Sequence, residues 1–315
     1  MPVDKELLTK LLKGDRVTIA RAISLVENEH HDAFDLLKHI YPHTGKAYRV
    51  GITGPPGAGK STITNKLAKL YCGENKRIGI IAVDPTSPFT GGALLGDRIR
   101  MTDVELDAGV FIRSMASRGS LGGLSTKTRE AADVLDASGC DVILMETVGV
   151  GQSELDIARA ADTTVVVLVP ESGDSIQAMK AGLMEIADFF VVNKADRAGA
   201  EQAVMSIKMV LNFKPHENGW NPDVIQTVAN DGKGIDLVAQ MIESHKRFLQ
   251  EHNLLVKKRE ERIIERIREL IGKQLQIEFW NEERERILKA SVGDVVALKK
   301  TPYDLAENLL DKFHI

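Results

Sequence analysis

Cysteine is scarce in this chain: Cys72 and Cys140 are the two present, far apart and outside any C-x-x-C. That excludes a disulfide framework and a thiolate zinc site, and fits a reducing compartment, so a cytoplasmic protein is expected. Both are read as small buried apolar residues. No apolar run reaches 18 residues, so no transmembrane helix or membrane insertion is expected. The polar opening MPVDKELLTK has no signal-peptide pattern. With 41 basic against 45 acidic residues the net charge is -4, which gives no electrostatic reason for a nucleic-acid partner. The eight histidines do not gather with cysteines or acids at zinc-like spacing. The one adjacent pair, His30-His31, is read as a solvated loop.

What is present suits a folded chain of some size: 315 residues, 43% hydrophobic and 27% charged. Residues 4–40 read as short helices, with Leu7, Leu8, Leu11 and Leu12 on one face and Ile19, Ala22, Ile23 and Val26 on another. From residue 49, β-rich runs alternate with longer amphipathic stretches: RVGITG (49–54), IGIIAVD (78–84), GVFIRS (109–114), DVILMET (141–147), TTVVVLV (163–169), DFFVVNK (188–194) and DVIQTVA (223–229). Runs apolar on both faces indicate parallel strands covered by helices on each side. The expected fold is α/β, a doubly wound, mostly parallel sheet of the P-loop NTPase type. The expected organisation is a helical N-terminal extension (1–46), a nucleotide-binding domain (47–253) and a helical C-terminal arm (254–315). In the arm, REERIIERIRELIGKQLQIEFWNEERERILKA reads as one long charged helix with Ile263, Ile264, Ile267, Leu270, Ile271 and Leu275 on one stripe. TPYDLAENLLDKF starts a further helix, capped by Thr301 with Pro302 in its first turn.

Gly54 to Ser61 reads GPPGAGKS, a full match to G-x-x-x-x-G-K-[ST] between a strand-like and a helix-like run. Gly54, Gly57 and Gly59 allow a tight backbone whose N–H groups, with those of Ala58, face phosphate oxygens. The helix beyond adds its positive end. Lys60 is expected to neutralise β/γ-phosphate charge, Ser61 to ligate Mg²⁺ and Thr62 to donate to the α-phosphate.

NKAD (193–196) closes a later strand. A carboxylate accepts from both N–H groups on one edge of guanine, and adenine lacks the amino group there. Asp196 would therefore choose the base, with Lys194 stacked on it and Asn193 bracing the loop, so GTP is expected over ATP. In ETVGVGQ (146–152), Glu146 closes an apolar strand where an acid of the magnesium shell belongs, and Gly149 could offer an N–H to the γ-phosphate. Val150 stands where some GTPases place a water-orienting Gln, and Gln152 lies two residues on. Slow unaided hydrolysis follows, with a partner completing the site. In DPTSPFTGGALLGDRIRM (84–101), Asp97 could reach Mg²⁺ and Arg98 or Arg100 a phosphate, or the segment is a long surface loop.

Taken together, GITGPPGAGKST, AVDPTSP…GGALLGDRIRM, METVGVGQSE, PESGDSIQAMKAGLMEIAD and NKAD resemble the MeaB/ArgK family, the methylmalonyl-CoA mutase-associated GTPases. The resemblance runs over nearly the whole chain. It implies a homodimeric GTP-hydrolysing chaperone that gates cofactor loading into an adenosylcobalamin-dependent acyl-CoA mutase and protects that mutase. On this resemblance Lys60 and Ser61 belong to the phosphate loop, and Asp97 and Glu146 to the magnesium shell. Asn193, Lys194 and Asp196 belong to the base site, and Gly173, Asp174, Gln177 and Lys180 to a further switch. One departure stands in QTVANDGKGI. Where the family has Ser-Ala, this chain has Val228-Ala229, followed by Asn230, so a loop-bracing hydroxyl is missing while the Ala229 N–H remains for the guanine oxygen.

There is no D-x-H-x-x-G, so cobalamin belongs on the partner. Two other readings stay open: a P-loop kinase or ATPase linked to arginine/ornithine transport, and a nucleotide-gated scaffold with little turnover. A nickel chaperone would want a His-rich tract, which is absent. The arm either folds back on the chain or packs against its copy in a second subunit.

Overall fold

Seven strands form one sheet in the order β3-β2-β4-β1-β5-β6-β7, and every strand pairing is parallel. The computed structural model describes residues 5–85, 109–117, 123–147, 153–170, 182–212 and 219–311. They divide into two compact units, residues 1–258 and 259–315.

The first unit opens with α1 (Lys5–Leu12), α2 (Arg16–Glu27) and α3 (Ala33–Ile40). Asp15 stops one helix and starts the next, its carboxylate accepting from the Thr18 N–H at 2.8 Å. Then come β1 (Tyr48–Thr53), α4 (Lys60–Gly73), β2 (Ile78–Pro85), β3 (Val110–Ser117), α5 (Gly123–Ala137), β4 (Val142–Thr147), α6 (Ser153–Ala160), β5 (Thr163–Leu168), α7 (Leu183–Ile186), β6 (Phe189–Asn193), α8 (Ala200–Asn212), β7 (Val224–Thr227) and α9 (Ile235–Glu251).

Successive strand residues enter opposite cores. Val142 and Leu144 of β4 pack under α4 and α9, whereas Ile143 and Met145 pack with α2, α3, α5 and α6. In β6, Phe189 and Val191 join the first core and Phe190 and Val192 a third, with α7 and α8. Burial on both faces is why these runs are continuously apolar, and each such side chain contributes on the order of 1.5–3 kcal/mol. The helices of residues 5–40 share the β2–β4 core through Leu11, Ile19, Ile23 and Leu36.

β3 runs further than expected, to Ser117. β7 is shorter, because Val228 leaves the sheet to bridge Lys233 and residues 229–231 turn as a 3₁₀ helix. Cys140 is buried, but Cys72 is only half-buried, which corrects the reading of both as interior residues.

The second unit holds most of α10 (Leu254–Phe279), then α11 (Glu282–Val296) and α12 (Pro302–Leu310). The single long helix expected here is broken at Trp280–Asn281. Asn281 accepts from the Arg284 N–H at 2.9 Å and so caps a new helix. Thr301 and Asp304 form a reciprocal capping box, and α12 buries Leu305 and Leu309.

Candidate functional site

The crevice lies where strand order reverses. β1 is flanked by β4 and β5, its outgoing helix α4 leads to β2 on one side, and β5 and β6 continue on the other. Gly54 and Gly59 make the turn into α4. Gly54 has φ +135°, and a Cβ there would lie 2.0 Å from the Val167 carbonyl oxygen. Gly59 has φ +89°, and a Cβ would lie 2.2 Å from Asn193 Nδ2. Neither position accepts a side chain.

Lys60 is the first residue of α4, and its side chain is buried. Its ammonium donates to the carbonyls of Gly54 at 2.8 Å and Pro55 at 2.9 Å, which hold the charge against the loop. Ser61 Oγ donates to Glu146 Oε1 at 2.5 Å. That contact follows from register, since Ile52 of β1 lies opposite Glu146 of β4. A hydroxyl and a buried carboxylate side by side are the hard oxygen donors that a magnesium ion takes, so the residues present fit that ion.

Asn193 ties the two ends of the crevice together. Its Nδ2 donates to the Ala58 carbonyl at 2.8 Å, and its Oδ1 accepts from Thr227 Oγ1 at 3.0 Å and from the Ala229 N–H at 3.1 Å. The hydroxyl missing at Val228 is therefore supplied one residue earlier, by Thr227. The Ala229 N–H, expected to face guanine, is engaged by Asn193 here. Lys194 adopts φ +58°, and the Ala195 N–H donates to the Thr227 carbonyl at 3.0 Å, which docks the NKAD turn on the end of β7. Asp196 is exposed at the mouth.

All of this surrounds one cavity of about 700 Å³. At its phosphate end are Gly57, Gly59, Lys60, Ser61, Thr62 and Glu146; at its base end are Asn193, Lys194, Asp196, Val228, Ala229 and Asn230. Ala58 is buried and takes part through its carbonyl. Asp97, Gly149, Val150 and Gln152 lie outside the described residues, as do Arg98, Arg100, Gly173, Asp174, Gln177 and Lys180.

Several contributors escaped the sequence reading. Asn65, Lys66 and Lys69 also line the cavity from α4. Their spacing from Thr62 by three, four and seven residues puts them on its helical face, a signal that was available. Glu154, in the first turn of α6, is buried, and burial pushes its carboxyl pKa up while the Lys60 charge opposes this. Nothing local marked it. His30 and His31 are exposed in a turn, as the solvated-loop reading expected, with Asp32 beside them.

The sequence profile described as methylmalonyl Co-A mutase-associated GTPase MeaB matches residues 19–284. The chain belongs to the MeaB family. A provisionally named GTPase of Pyrococcus horikoshii is 51% identical over 99% of this chain and 98% of its own length. The GTPase ArgK of Escherichia coli is 38% identical over 91% of this chain and 89% of its own. The mouse protein named methylmalonic aciduria type A homolog, mitochondrial, is 34% identical over 90% of this chain and 70% of its own. A solved structure titled LAO/AO transport system kinase superposes with a TM-score of 0.75 at 30% identity, covering 97% of this chain and 96% of that one. This MeaB-family member is thus a P-loop GTPase, a protein of the guanine-nucleotide-binding class. Among the described residues no helix is long and apolar enough to cross a membrane.

Proposed function

We propose that this GTPase serves an adenosylcobalamin-dependent acyl-CoA mutase, methylmalonyl-CoA mutase by preference, as a nucleotide-gated chaperone that controls cofactor loading and protects the enzyme. The observation that carries the reading is the match of the mutase-associated family over residues 19–284, joined to a crevice whose two ends are linked by Asn193. A residue that bonds both the phosphate loop and the base loop makes occupancy of one end felt at the other, which nucleotide gating requires.

In the proposed reaction Asp196 accepts from the two guanine N–H groups. Lys60 exchanges the Gly54 and Pro55 carbonyls for phosphate oxygens, and Thr62 and the loop N–H groups hold the α- and β-phosphates. Water attacks the γ-phosphorus, the bond to the β-phosphate oxygen breaks, and GDP, inorganic phosphate and a proton leave. Ser61 and Glu146, with Asp97, would hold Mg²⁺, which supplies charge neutralisation on the phosphates. Gln152 and Gly149 are proposed to act at the γ-phosphate, with a partner completing a slow site. The stripe of α10, with Ile263, Ile267 and Ile271 exposed, supports a homodimer through the C-terminal arm.

The test is titration of a cobalamin-dependent acyl-CoA mutase into a GTP turnover assay with gel filtration of the mixture. A several-fold stimulation and a co-eluting complex are expected; unchanged turnover with no complex would overturn the reading. The solved relative titled as a transport system kinase supports a second reading, phosphoryl transfer to another acceptor. Labelled phosphate appearing on arginine, ornithine or a protein rather than in solution would favour it.

A further inference from the structure

We propose that His30, His31 and Asp32 form a surface site for a borderline divalent transition-metal ion of the zinc and nickel class, separate from the nucleotide crevice. The three residues occupy the turn between α2 and α3, and their ligand atoms all lie within 4.8 Å of one another. Asp32 Oδ1 is 3.1 Å from His31 Nε2, and Asp32 Oδ2 is 3.4 Å from His30 Nδ1. With metal–ligand bonds of about 2.0–2.2 Å, neighbouring ligand atoms stand about 3.0–3.4 Å apart in octahedral or tetrahedral geometry. The two separations from the carboxylate already match that edge. The imidazole rings lie 4.1 Å apart and tilted by 35°.

One further observation concerns the carboxylate. Asp32 stands at the N-cap of α3, where an acid ordinarily accepts from the helix N–H groups, yet its side chain makes no capping hydrogen bond and is turned to the imidazoles. His30 Nδ1 accepts from the Asp32 N–H at 3.3 Å, a long bond that an ion on the same lone pair would replace.

The turn is also held in shape. The His30 N–H donates to the Leu25 carbonyl at 3.0 Å and the Ala33 N–H to the His30 carbonyl at 2.9 Å. Glu29 takes the left-handed conformation, φ +51°. Lys127 of α5 donates to the Glu27 carbonyl at 2.7 Å and pairs with Glu29 at 3.6 Å. Three ligands from consecutive residues on a fixed backbone lose little freedom on binding. Imidazole nitrogen selects zinc, nickel, cobalt or copper over magnesium or calcium, and the remaining positions are left to water. A bound ion would staple the end of α2 to the start of α3, on the turn that α5 already clamps.

The experiment is calorimetric titration of untagged, metal-stripped full-length protein with Zn²⁺, Ni²⁺ and Mg²⁺ in separate runs. One equivalent of Zn²⁺ or Ni²⁺ per chain is expected in the micromolar range, with no Mg²⁺ uptake at this site. His31→Ala and Asp32→Asn should each weaken it tenfold or more, leave GTP turnover unchanged, and abolish the Zn²⁺-dependent rise in Tm. Both side chains are outside the cores, and the metal-free Tm of each variant verifies that it folds. Zn²⁺ saturation only in the millimolar range, or undiminished binding in both variants, would overturn the proposal.

Discussion

The sheet-bearing unit and the C-terminal unit are built on opposite terms. In β1, β4, β5 and β6 every residue is buried, whereas α10 and α11 contain no buried residue at all. The first holds its elements by tertiary packing. The second holds its helices largely by local devices, namely the Asn281 cap, the Thr301–Asp304 box and i,i+4 pairs such as Lys289–Glu285. Isolated helices of this kind are weakly stable in water. The lesson is that an apolar stripe left exposed on a helix without a core of its own calls for a partner surface, whereas the interior of the sheet calls for none.

Truncation breaks the comparison most sharply. Phe190→Ala, in the middle of β6, should cost about 3–5 kcal/mol of unfolding free energy, whereas Ile267→Ala on α10 should cost under about 1 kcal/mol in a dilute monomer. Denaturant unfolding measures both. If the proposed homodimer forms through this stripe, Ile267→Ala should instead weaken self-association by light scattering; equal losses of stability at the two sites would erase the distinction.

Within the crevice, Lys60→Ala should lower GTP turnover about 100-fold or more, because it removes the positive charge held on the phosphate loop itself. Steady-state phosphate release checks it. Asp196→Asn, at the exposed end, should cost GTP about 3 kcal/mol of binding and shift preference toward xanthine nucleotide, with the fold unaffected. Competition binding of GTP, ATP and XTP reads this out, and equal GTP and ATP affinity in the unaltered protein would remove the base assignment.

The smallest effect is a pH dependence confined to the sheet-bearing unit. His245 is buried, its Nδ1 is 2.8 Å from Thr163 Oγ1, and its Nε2 is 3.4 Å from Asp188. Burial holds its pKa below the usual 6.5, opposed by Asp188 and assisted by the Lys258 charge. The unfolded chain therefore takes up this proton more readily than the folded one. Stability from this group is complete above about pH 6.5 and falls as pH drops below it. Thermal melts at pH 7.5 and 5.5 should show the decline, and His245→Gln should flatten it.

Much of this was legible beforehand because the signals are local. The phosphate loop announces itself by glycines that the backbone requires, and the strands by apolar runs that burial on both faces requires. Asn193 and Asp196 were readable because a four-residue motif closes a strand. Thr227 was not, since its partner Asn193 lies 34 residues away and only the β6–β7 pairing brings the two together. The break at Trp280–Asn281 was missed because charge periodicity continues across it while the Asn281 cap overrides it.

By itself the sequence determined the alternation of strand and helix, the phosphate-loop motif and the family, because each resides in residue type at short spacing. The tertiary structure decided which distant groups meet. Register across β1 and β4 put Ser61 against Glu146, and the crossing of strand order made one crevice of residues between Pro56 and Asp231. It also left Glu154 buried near a lysine. Such meetings depend on packing between segments far apart in the chain, and no local pattern of side chains encodes them.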